Sequence, residues 1–471
     1  MRSRLGLLVA VAAASMGIVY GYDQSNIGAA MEYVGAEFTL DDTGKQWLYT
    51  IAVIGSIIGA LVAGPLANLI GRKKSMIAVA VGYGLFAVLS GIAPNFASLL
   101  GVRFLLGITV GISLVVVPVF VAESAPARTR GAMLVAYQMT TIIGIIFGFV
   151  IGYFLAGHAA WRWMLGLALV PSILVIVMLV RLPDTPRWLL AQNRPAQARE
   201  ALRAIDPDAD VEAEIAEMQA ALQEESGGRL AEMVRRPWSR ATVFVLGLGF
   251  LIQITGINAV AVYGPRLFES MGYTDDFGKL LLPALVQVYG LLAVILALRW
   301  VDRVGRRPLL LGGIFAMIVA TGILIAVYVA EDGGDAKLLW GFTGLALFTM
   351  GFSFGFGALV WVYAGESFPA RLRSYGSSAM LTSDLVANAI VAQFTLTLIN
   401  SRIGGAGTFA IFGAFAVLAF FFVLRLAPET KGRTLEDIQH YWADGAKWTG
   451  REDAAVHQDA ALAERERASR P

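Results

Sequence analysis

Hydrophobic positions in this chain come in long continuous runs separated by short polar segments. A helix needs about 20 apolar residues to cross the hydrocarbon core of a bilayer. By that measure the sequence predicts twelve transmembrane helices, because open sheet edges are too costly in lipid. The spans are expected at residues 5–23, 45–69, 75–93, 97–122, 131–156, 161–182, 240–263, 279–301, 308–330, 338–364, 375–399 and 405–426.

The polar segments repeat at about half the length of the chain. Three motifs occur twice: Gly71-Arg72-Lys73-Lys74 and Gly305-Arg306-Arg307-Pro308, Glu123 to Arg130 and Glu366 to Arg373, and Pro183-Asp184-Thr185 and Pro428-Glu429-Thr430. Duplicated sets of spans around a midplane cavity are typical of secondary transporters. The predicted fold is therefore an all-α membrane protein of two pseudo-symmetric six-helix halves, residues 1–183 and 240–428.

Two polar segments lie outside these halves. Residues 184–239 contain the Ala- and Glu-rich runs Ala196–Ile205 and Val211–Glu224, which predict short amphipathic helices on the cytoplasmic face. Residues 429–471 form a C-terminal tail, which we expect to be mostly disordered after about residue 441 because it is polar and charged.

The distribution of cations predicts the orientation in the membrane. One side of the predicted bundle carries most of the loop cations: Arg72, Lys73, Lys74, Arg128, Arg130, Arg303, Arg306, Arg307, Arg371 and Arg373. The positive-inside rule makes that side cytoplasmic and places both termini inside the cell. Arg2 and Arg4 before an Ala-rich run could also begin a cleavable signal peptide, but cleavage would remove the polar Tyr22-Asp23 pair. We interpret this run as the first span.

Composition excludes several other classes of protein. At 57% hydrophobic and 15% charged residues, the chain is far from the composition of a water-soluble globule. A net charge of +2 gives no basic field for nucleic acid, and the lack of cysteine excludes disulfides and thiolate metal sites. The three histidines show no metal-binding spacing, and no nucleotide-binding loop is present. We therefore predict that the protein is not an enzyme and that it binds no cofactor.

Several motifs, taken together, resemble the sugar porter family of the major facilitator superfamily. The resemblance covers about residues 15–440 and is carried by Pro183-Asp-Thr-Pro-Arg-Trp-Leu189, Pro428-Glu-Thr-Lys-Gly-Arg-Thr-Leu-Glu-Asp-Ile438, Arg103, Pro118, Glu123, Arg130-Gly131 and Gly256-Ile257-Asn258. It implies a monomeric carrier of the cell membrane that moves a monosaccharide or polyol by alternating access. Proton symport is the preferred form of energy coupling.

Charged residues at the helix ends form a candidate gate. Its members are Arg72, Glu123, Arg130, Asp302, Arg306, Glu366 and Arg373. The resemblance implies that such charges stabilise the outward-facing state. Simple anchoring by the positive-inside rule is the alternative, although acids gain nothing from that rule. The Asp302-Arg303 pair has no first-half counterpart, because Asn68 and Leu69 occupy those positions, so we expect a weaker first-half cluster.

Asp23 and Arg103 are the candidate residues for proton coupling. Both lie in or beside otherwise uncharged spans, where an ionisable side chain is a functional hypothesis by default. If they meet, protonation of Asp23 would release Arg103 and change which conformation is favoured. The resemblance implies the same role, since an acid at this position is found in proton-coupled members. Alternatively, Asp23 only ends the first helix in the outer headgroup layer.

Neutral hydrogen-bonding side chains are the candidate substrate ligands. Those matching the family's sugar-binding positions are Gln138, Gln253, Asn258 and Asn388, with Trp361 as the stacking aromatic. The chain departs from the hexose carriers at Ile252, Gly290, Ala358, Val360 and Asp384-Leu385. Asp384 could bind a hydroxyl pair, take part in proton transfer or select a cationic substrate.

Three alternatives to proton symport stay open. A facilitator of the same fold would never protonate Asp23. A membrane sugar sensor would bind without transport, although the tail is short for signalling. An exporter of amphipathic or cationic compounds would use Asp384.

Overall fold

The computed structural model describes residues 4–124, 130–156, 158, 160–206, 210–225, 230–330 and 334–448. Within these ranges the regular structure is helical, as the apolar runs predict. The helices of the first half are α1 Arg4–Glu37, α2 Asp42–Ile70, α3 Arg72–Gly91, α4 Phe96–Ser124, α5 Arg130–Ala156, α6 Trp161–Gly166 and α7 Leu169–Val180.

Four short helices connect the halves, and ten more build the second half and the start of the tail. The connecting helices are α8 Pro186–Ala191, α9 Pro195–Ile205, α10 Val211–Glu225 and α11 Leu230–Met233. The others are α12 Ser239–Ile254, α13 Ile257–Val262, α14 Gly264–Met271, α15 Leu282–Val304, α16 Arg306–Val329, α17 Gly334–Phe352, α18 Ala358–Glu366, α19 Ala370–Ile399, α20 Gly404–Leu426 and α21 Leu435–Ala443.

The prediction of a twelve-span helical bundle is confirmed. Eleven helical stretches in the described part of the chain are long and apolar enough to cross a bilayer. Helix α1 supplies the remaining span, because residues 5–22 carry no charged side chain. It also runs further than predicted, through Glu37.

Three spans that the sequence predicts as continuous are interrupted in the second half. The seventh breaks between α12 and α13 at Gly256, whose φ of 96° is a left-handed conformation that suits glycine. The eighth begins with a π-helical turn at Phe277–Leu281, and the tenth contains another at Ser353–Gly357. Such irregular backbone at membrane depth is typical where a helix lines a cavity.

The two halves pack against each other at one end of the bundle. We call the end that carries Arg72 and Arg306 the basic end, and the end where α2 begins at Asp42 the acidic end. One hydrophobic core joins first-half residues near the acidic end, such as Leu48 and Phe149, to much of the second half. A separate core near the basic end contains first-half residues alone. The halves are thus closed together at the acidic end and keep separate cores at the basic end.

Polar contacts between α2 and α19 reinforce the closure. Asn400 donates a hydrogen bond to Asp42 at 2.6 Å, at the acidic end of both helices. About one turn further in, the side chains of Gln46 and Thr397 are hydrogen-bonded at 3.0 Å. Entry of a solute from the acidic side is therefore blocked in this conformation.

Candidate functional site

A small cavity lies between the halves, about half-way along the spanning helices that line it. Its lining includes Asp23 and Gln24 from α1, Tyr49 from α2, Arg103 from α4 and Asn388 from α19. The free volume is about 30 Å³, which is room for water but not for a monosaccharide. Side chains from both halves have closed around the site, so a solute can enter only after they separate.

Asp23 and Arg103 form a buried ion pair beside this cavity. The Nη1 of Arg103 donates to the Oδ1 of Asp23 at 2.8 Å, and the exposed fractions of the side chains are 2% and 16% respectively. Two further nitrogens of Arg103, Nε and Nη2, have no hydrogen-bond partner among the described residues. The position of Asp23 inside the bundle does not fit the alternative of a headgroup-layer cap.

A chain of amides that begins at Gln24, in the lining of the cavity, joins the two halves. Gln24 donates to Asn258 at 2.6 Å, and Asn258 donates to Gln253 at 2.9 Å. Asn388 donates to the hydroxyl of Tyr49 at a longer 3.4 Å. These hydrogen bonds between protein groups occupy donors and acceptors that could otherwise bond a solute.

Asp384 lies close to this chain of amides. Its side chain is 6% exposed and interacts with Gln253. Its Oδ1 has no hydrogen-bond partner among the described residues, and no cation forms an ion pair with it there. The structure therefore places a second acid near the cavity, in a different setting from Asp23.

Of the predicted substrate ligands, Asn388 lines the cavity, and Gln253 and Asn258 belong to the chain of amides. Gln138 and Trp361 belong to neither group in the described structure. Gln138 is half-buried on α5, and Trp361 is 44% exposed on α18 near the basic end. Neither is among the residues that line the central cavity in the described structure. A role of Gln138 and Trp361 in substrate binding stays a prediction.

The first-half gate residues meet at the basic end. The Nε of Arg72 lies 3.0 Å from Glu123, and Thr185 donates to the same carboxylate at 2.6 Å. Asn68 accepts a hydrogen bond from Arg72 at 3.0 Å, so the residue that replaces the expected acid still contributes. The side chain of Arg130 lies outside the described residues.

The second-half cluster is described only in part. Glu366 interacts electrostatically with Arg306 and Arg373, as the repeat predicts. The side chain of Asp302 lies outside the described residues. A gating role for either cluster stays a prediction.

Two acids cap the beginnings of α3 and α16, which are matching helices of the two halves. The sequence analysis had not assigned these acids to the site. Asp184 accepts from the backbone N–H groups of Arg72 and Lys73 at 3.1 and 3.2 Å. Glu429 accepts from those of Arg306 and Arg307 at 3.0 and 3.1 Å. A carboxylate at a helix N-terminus satisfies free donors and complements the helix dipole. The Pro-Asp-Thr and Pro-Glu-Thr repeats carried this signal.

Gln24 and Tyr49 are further site residues that the sequence analysis missed. Gln24 follows Asp23 directly within an apolar span, and a polar side chain there could have been noted as a candidate. Tyr49 gave no such signal, because tyrosine is ordinary in a membrane helix.

A duplicated twelve-span bundle, closed at one end, with a cavity between its halves that an ion pair and amides help to line, defines a membrane transporter of the secondary type. The chain belongs to the family described as sugar (and other) transporter, whose model matches residues 9–442. The predicted resemblance is thereby confirmed, as is the prediction that the protein is not an enzyme.

Curated relatives are similar over nearly the whole chain. The galactose-proton symporter of Escherichia coli (strain K12) is 32% identical over 436 residues, covering 92% of this chain and 94% of the relative. The probable polyol transporter 6 of Arabidopsis thaliana is 32% identical over 482 residues, covering 96% of this chain and 97% of the relative.

A solved structure has the same fold. It is that of a proton:xylose symporter of the major facilitator superfamily, bound to 6-bromo-6-deoxy-D-glucose. The TM-score is 0.80 at 25% identity, covering 94% of this chain and 100% of the other.

Proposed function

We propose that this protein carries a monosaccharide or polyol across the cell membrane together with protons. The observation that carries the proposal is the ion pair of Asp23 and Arg103 at the cavity between the halves. The family and the names of the relatives, which include a galactose-proton symporter and a polyol transporter, support this class of substrate.

The ion pair offers a physical route from protonation to conformational change. A proton on Asp23 would neutralise the acid and leave Arg103 as a buried, uncompensated cation. Arginine cannot lose its charge in a protein, and an unpaired buried charge is strongly unfavourable. The protein would lower its free energy by moving to a conformation in which Arg103 finds another partner or water.

The solute would bind by replacing the contacts that the amides now make with each other. Opening the cavity separates Gln24 from Asn258 and Tyr49 from Asn388, which leaves donors and acceptors for hydroxyl groups. Since an unmet hydrogen bond in a dry site is costly, only a solute that satisfies these groups permits closure around it. Gln138 and Trp361 would contact the solute on its way to the site from the basic end.

The proposal includes the orientation and the energetics. The basic end faces the cytoplasm with both termini, so the described conformation opens inward. The transporter works as a monomer. Moving one charge through 100 mV yields about 2.3 kcal/mol, which would sustain a roughly 40-fold solute gradient.

The decisive experiment is uptake of labelled monosaccharides and polyols into proteoliposomes, with and without an inward proton gradient. We expect the native chain to accumulate solute only with the gradient, and Asp23→Asn to equilibrate it without accumulation. Equilibration by the native chain, with or without the gradient, would leave a facilitator instead.

A second candidate function rests on Asp384. A buried acid without an ion-pair partner is suited to bind a cationic solute. If organic cations compete for uptake in the native chain and not in Asp384→Asn, while sugars do not compete, the substrate is a cation.

A further inference from the structure

A basic cavity of about 520 Å³ lies at the basic end of the second half, away from the central site. Its walls include the end of α20, the segment 427–433, and α21 with the residues that follow this helix. Four of its lining residues are cations, namely Arg307, Arg425, Lys431 and Arg433, and two are the aromatic residues Tyr441 and Trp448. Neither the gate nor the central site uses this cavity.

Two of these four cations, Arg307 and Arg425, have no acidic partner among the described residues. Among the described residues of its lining there is one acid, Glu429, whose two oxygens accept backbone N–H groups from Arg306, Arg307 and Lys431. The Nε of Arg307 is buried and has no hydrogen-bond partner among the described residues. Arg425 is exposed and forms no ion pair in the described part of the chain. The cavity is therefore suited to an anion.

Several contacts hold the cationic side chains in place. The guanidinium of Arg433 stacks over the ring of Trp448 at 4.4 Å. Lys431 donates to the backbone carbonyl of Arg303 at 2.6 Å, and Arg307 donates to the carbonyl of Leu424. Preorganised arginines of this kind bind phosphate groups well, because the donors are already oriented.

The cavity opens beside the lipid-facing side of α20. Exposed apolar side chains at Val417, Leu418, Phe421 and Leu424 form a stripe along this helix, and Arg425 is the next residue. A phospholipid could lay its acyl chains along the stripe and place its headgroup among the cations. A soluble phosphate would contact only the cations of the cavity and not the apolar stripe.

We propose that this cavity binds the phosphate headgroup of an anionic phospholipid from the leaflet at the basic end. Basic pockets at helix ends are a known form of anionic lipid recognition. The bound lipid would connect α20 to α21 and so stabilise the second half at the end where the halves keep separate cores.

The test compares lipid binding to two double variants that remove the same charge. Arg425→Gln/Lys431→Gln removes two cations of the cavity. Arg181→Gln/Lys74→Gln removes two exposed cations of the same end in the first half, where Arg181 follows α7 as Arg425 lies at the end of α20. Full-length protein in detergent is titrated with phosphatidylglycerol, phosphatidylcholine or inorganic phosphate, and thermal unfolding is followed.

We expect phosphatidylglycerol to stabilise the native chain and the first-half variant at similar concentrations. The cavity variant should need at least about tenfold more lipid, since each cation near an anionic surface contributes about 1 kcal/mol. Unfolding in phosphatidylcholine alone checks that both variants fold. An equal loss in both variants would mean diffuse surface charge and overturn the site. Equal stabilisation by inorganic phosphate would overturn the lipid as its occupant.

Discussion

At the scale of single residues, the pair of Asp23 and Arg103 is asymmetric in a way that can be measured. A carboxylate left alone can take up a proton, whereas a guanidinium keeps its charge. Both side chains are largely buried. The free-energy cost of replacing one of them therefore depends on whether the other keeps its charge. The two single substitutions should therefore differ in their effect on stability.

We predict that Asp23→Asn lowers the unfolding temperature more than Arg103→Gln does. Removing one partner of a buried pair costs about 3–5 kcal/mol when the other stays charged. The double variant, which buries no charge, should recover most of the lost stability without recovering gradient-driven uptake. Thermal unfolding of the four proteins in one detergent measures this. Equal losses in the two single variants would contradict it.

The sequence predicted this pair more readily than the amide contacts, for a physical reason. An ionisable residue in an apolar span is conspicuous by itself, so Asp23 and Arg103 could be chosen separately. The bond between Gln24 and Asn258 joins positions 234 residues apart, and no local pattern reports which amides face each other. The separation of Gln138 and Trp361 from the cavity was hidden for the same reason.

At the scale of elements, the glycines before α3 and α16 are required by the acids that cap these helices. Gly71 and Gly305 have φ of 97° and 108°. A Cβ at Gly71 would lie 2.2 Å from the carboxylate of Asp184, and one at Gly305 would lie 2.6 Å from that of Glu429. Any side chain would be strained and would displace the cap.

We predict that Gly71→Ala and Gly305→Ala each destabilise the protein by about 1–3 kcal/mol, as expected for a strained left-handed residue. Gly101→Ala is the matched control, because this glycine lies within α4 and a Cβ there meets no atom within 4 Å. That control should be neutral or slightly stabilising. Thermal unfolding distinguishes these results, and a Gly101→Ala loss as large as the others would refute the explanation.

The connecting helices give a prediction for pH. Arg199 of α9 donates to Glu212 of α10 at 2.9 Å, and this hydrogen bond lowers the pKa of Glu212 from its ordinary value. A lowered carboxyl pKa stabilises the fold above the ordinary value, and the contribution is lost as pH falls through the lowered one. Because both side chains are exposed, the effect should be small and local.

Hydrogen exchange in α9 should therefore be slower in the native chain than in Glu212→Gln at neutral pH, and the two should converge in acid. Glu217→Gln, which changes another exposed acid of α10, is the control and should behave like the native chain. A constant difference between native chain and Glu212→Gln at every pH would contradict the prediction.

The sequence predicted elements well where composition alone determines them. Apolar runs set the spans to within a few residues, except for α1, whose residues 24–37 mix polar and apolar side chains and pack into the core through Ile27, Met31 and Val34. The break at Gly256 and the π-helical turns depend on what the backbone must line, which the hydropathy pattern does not contain. Helix α21 was missed, although Thr434 and Asp437 form a capping box that signals its start.

At the scale of the whole molecule, the contact of Asp42 with Asn400 should exist only while the acidic end is closed. The chain contains no cysteine, so two introduced thiols would be its only ones. We predict that a short bifunctional thiol reagent cross-links Asp42→Cys/Asn400→Cys and stops transport. Reduction of a cleavable reagent should restore it.

The single variant Asp42→Cys, treated with the same reagent, controls for modification alone and should keep its activity. Substrate and a proton gradient should both slow the cross-linking, because they favour time spent in other conformations. Efficient cross-linking with full transport would show that this contact does not need to open.

The sequence repeat predicted two halves, but not how the halves are oriented relative to each other. Conformations of such a transporter differ by only a few kcal/mol, and the same sequence must allow each of them. The closure at the acidic end is therefore a property of one state, which motifs shared by all states cannot specify.

The carboxylate caps have a consequence for how the chain can be divided. Asp184 follows the last helix of its half and binds the third span, and Glu429 does the same in the second half. The residues that follow the last span of each half thus bind the third span of the same half. This contact needs no residue of the other half. Expressed as two separate polypeptides cut between α9 and α10, the halves should each insert into the membrane and reassemble into a working heterodimer.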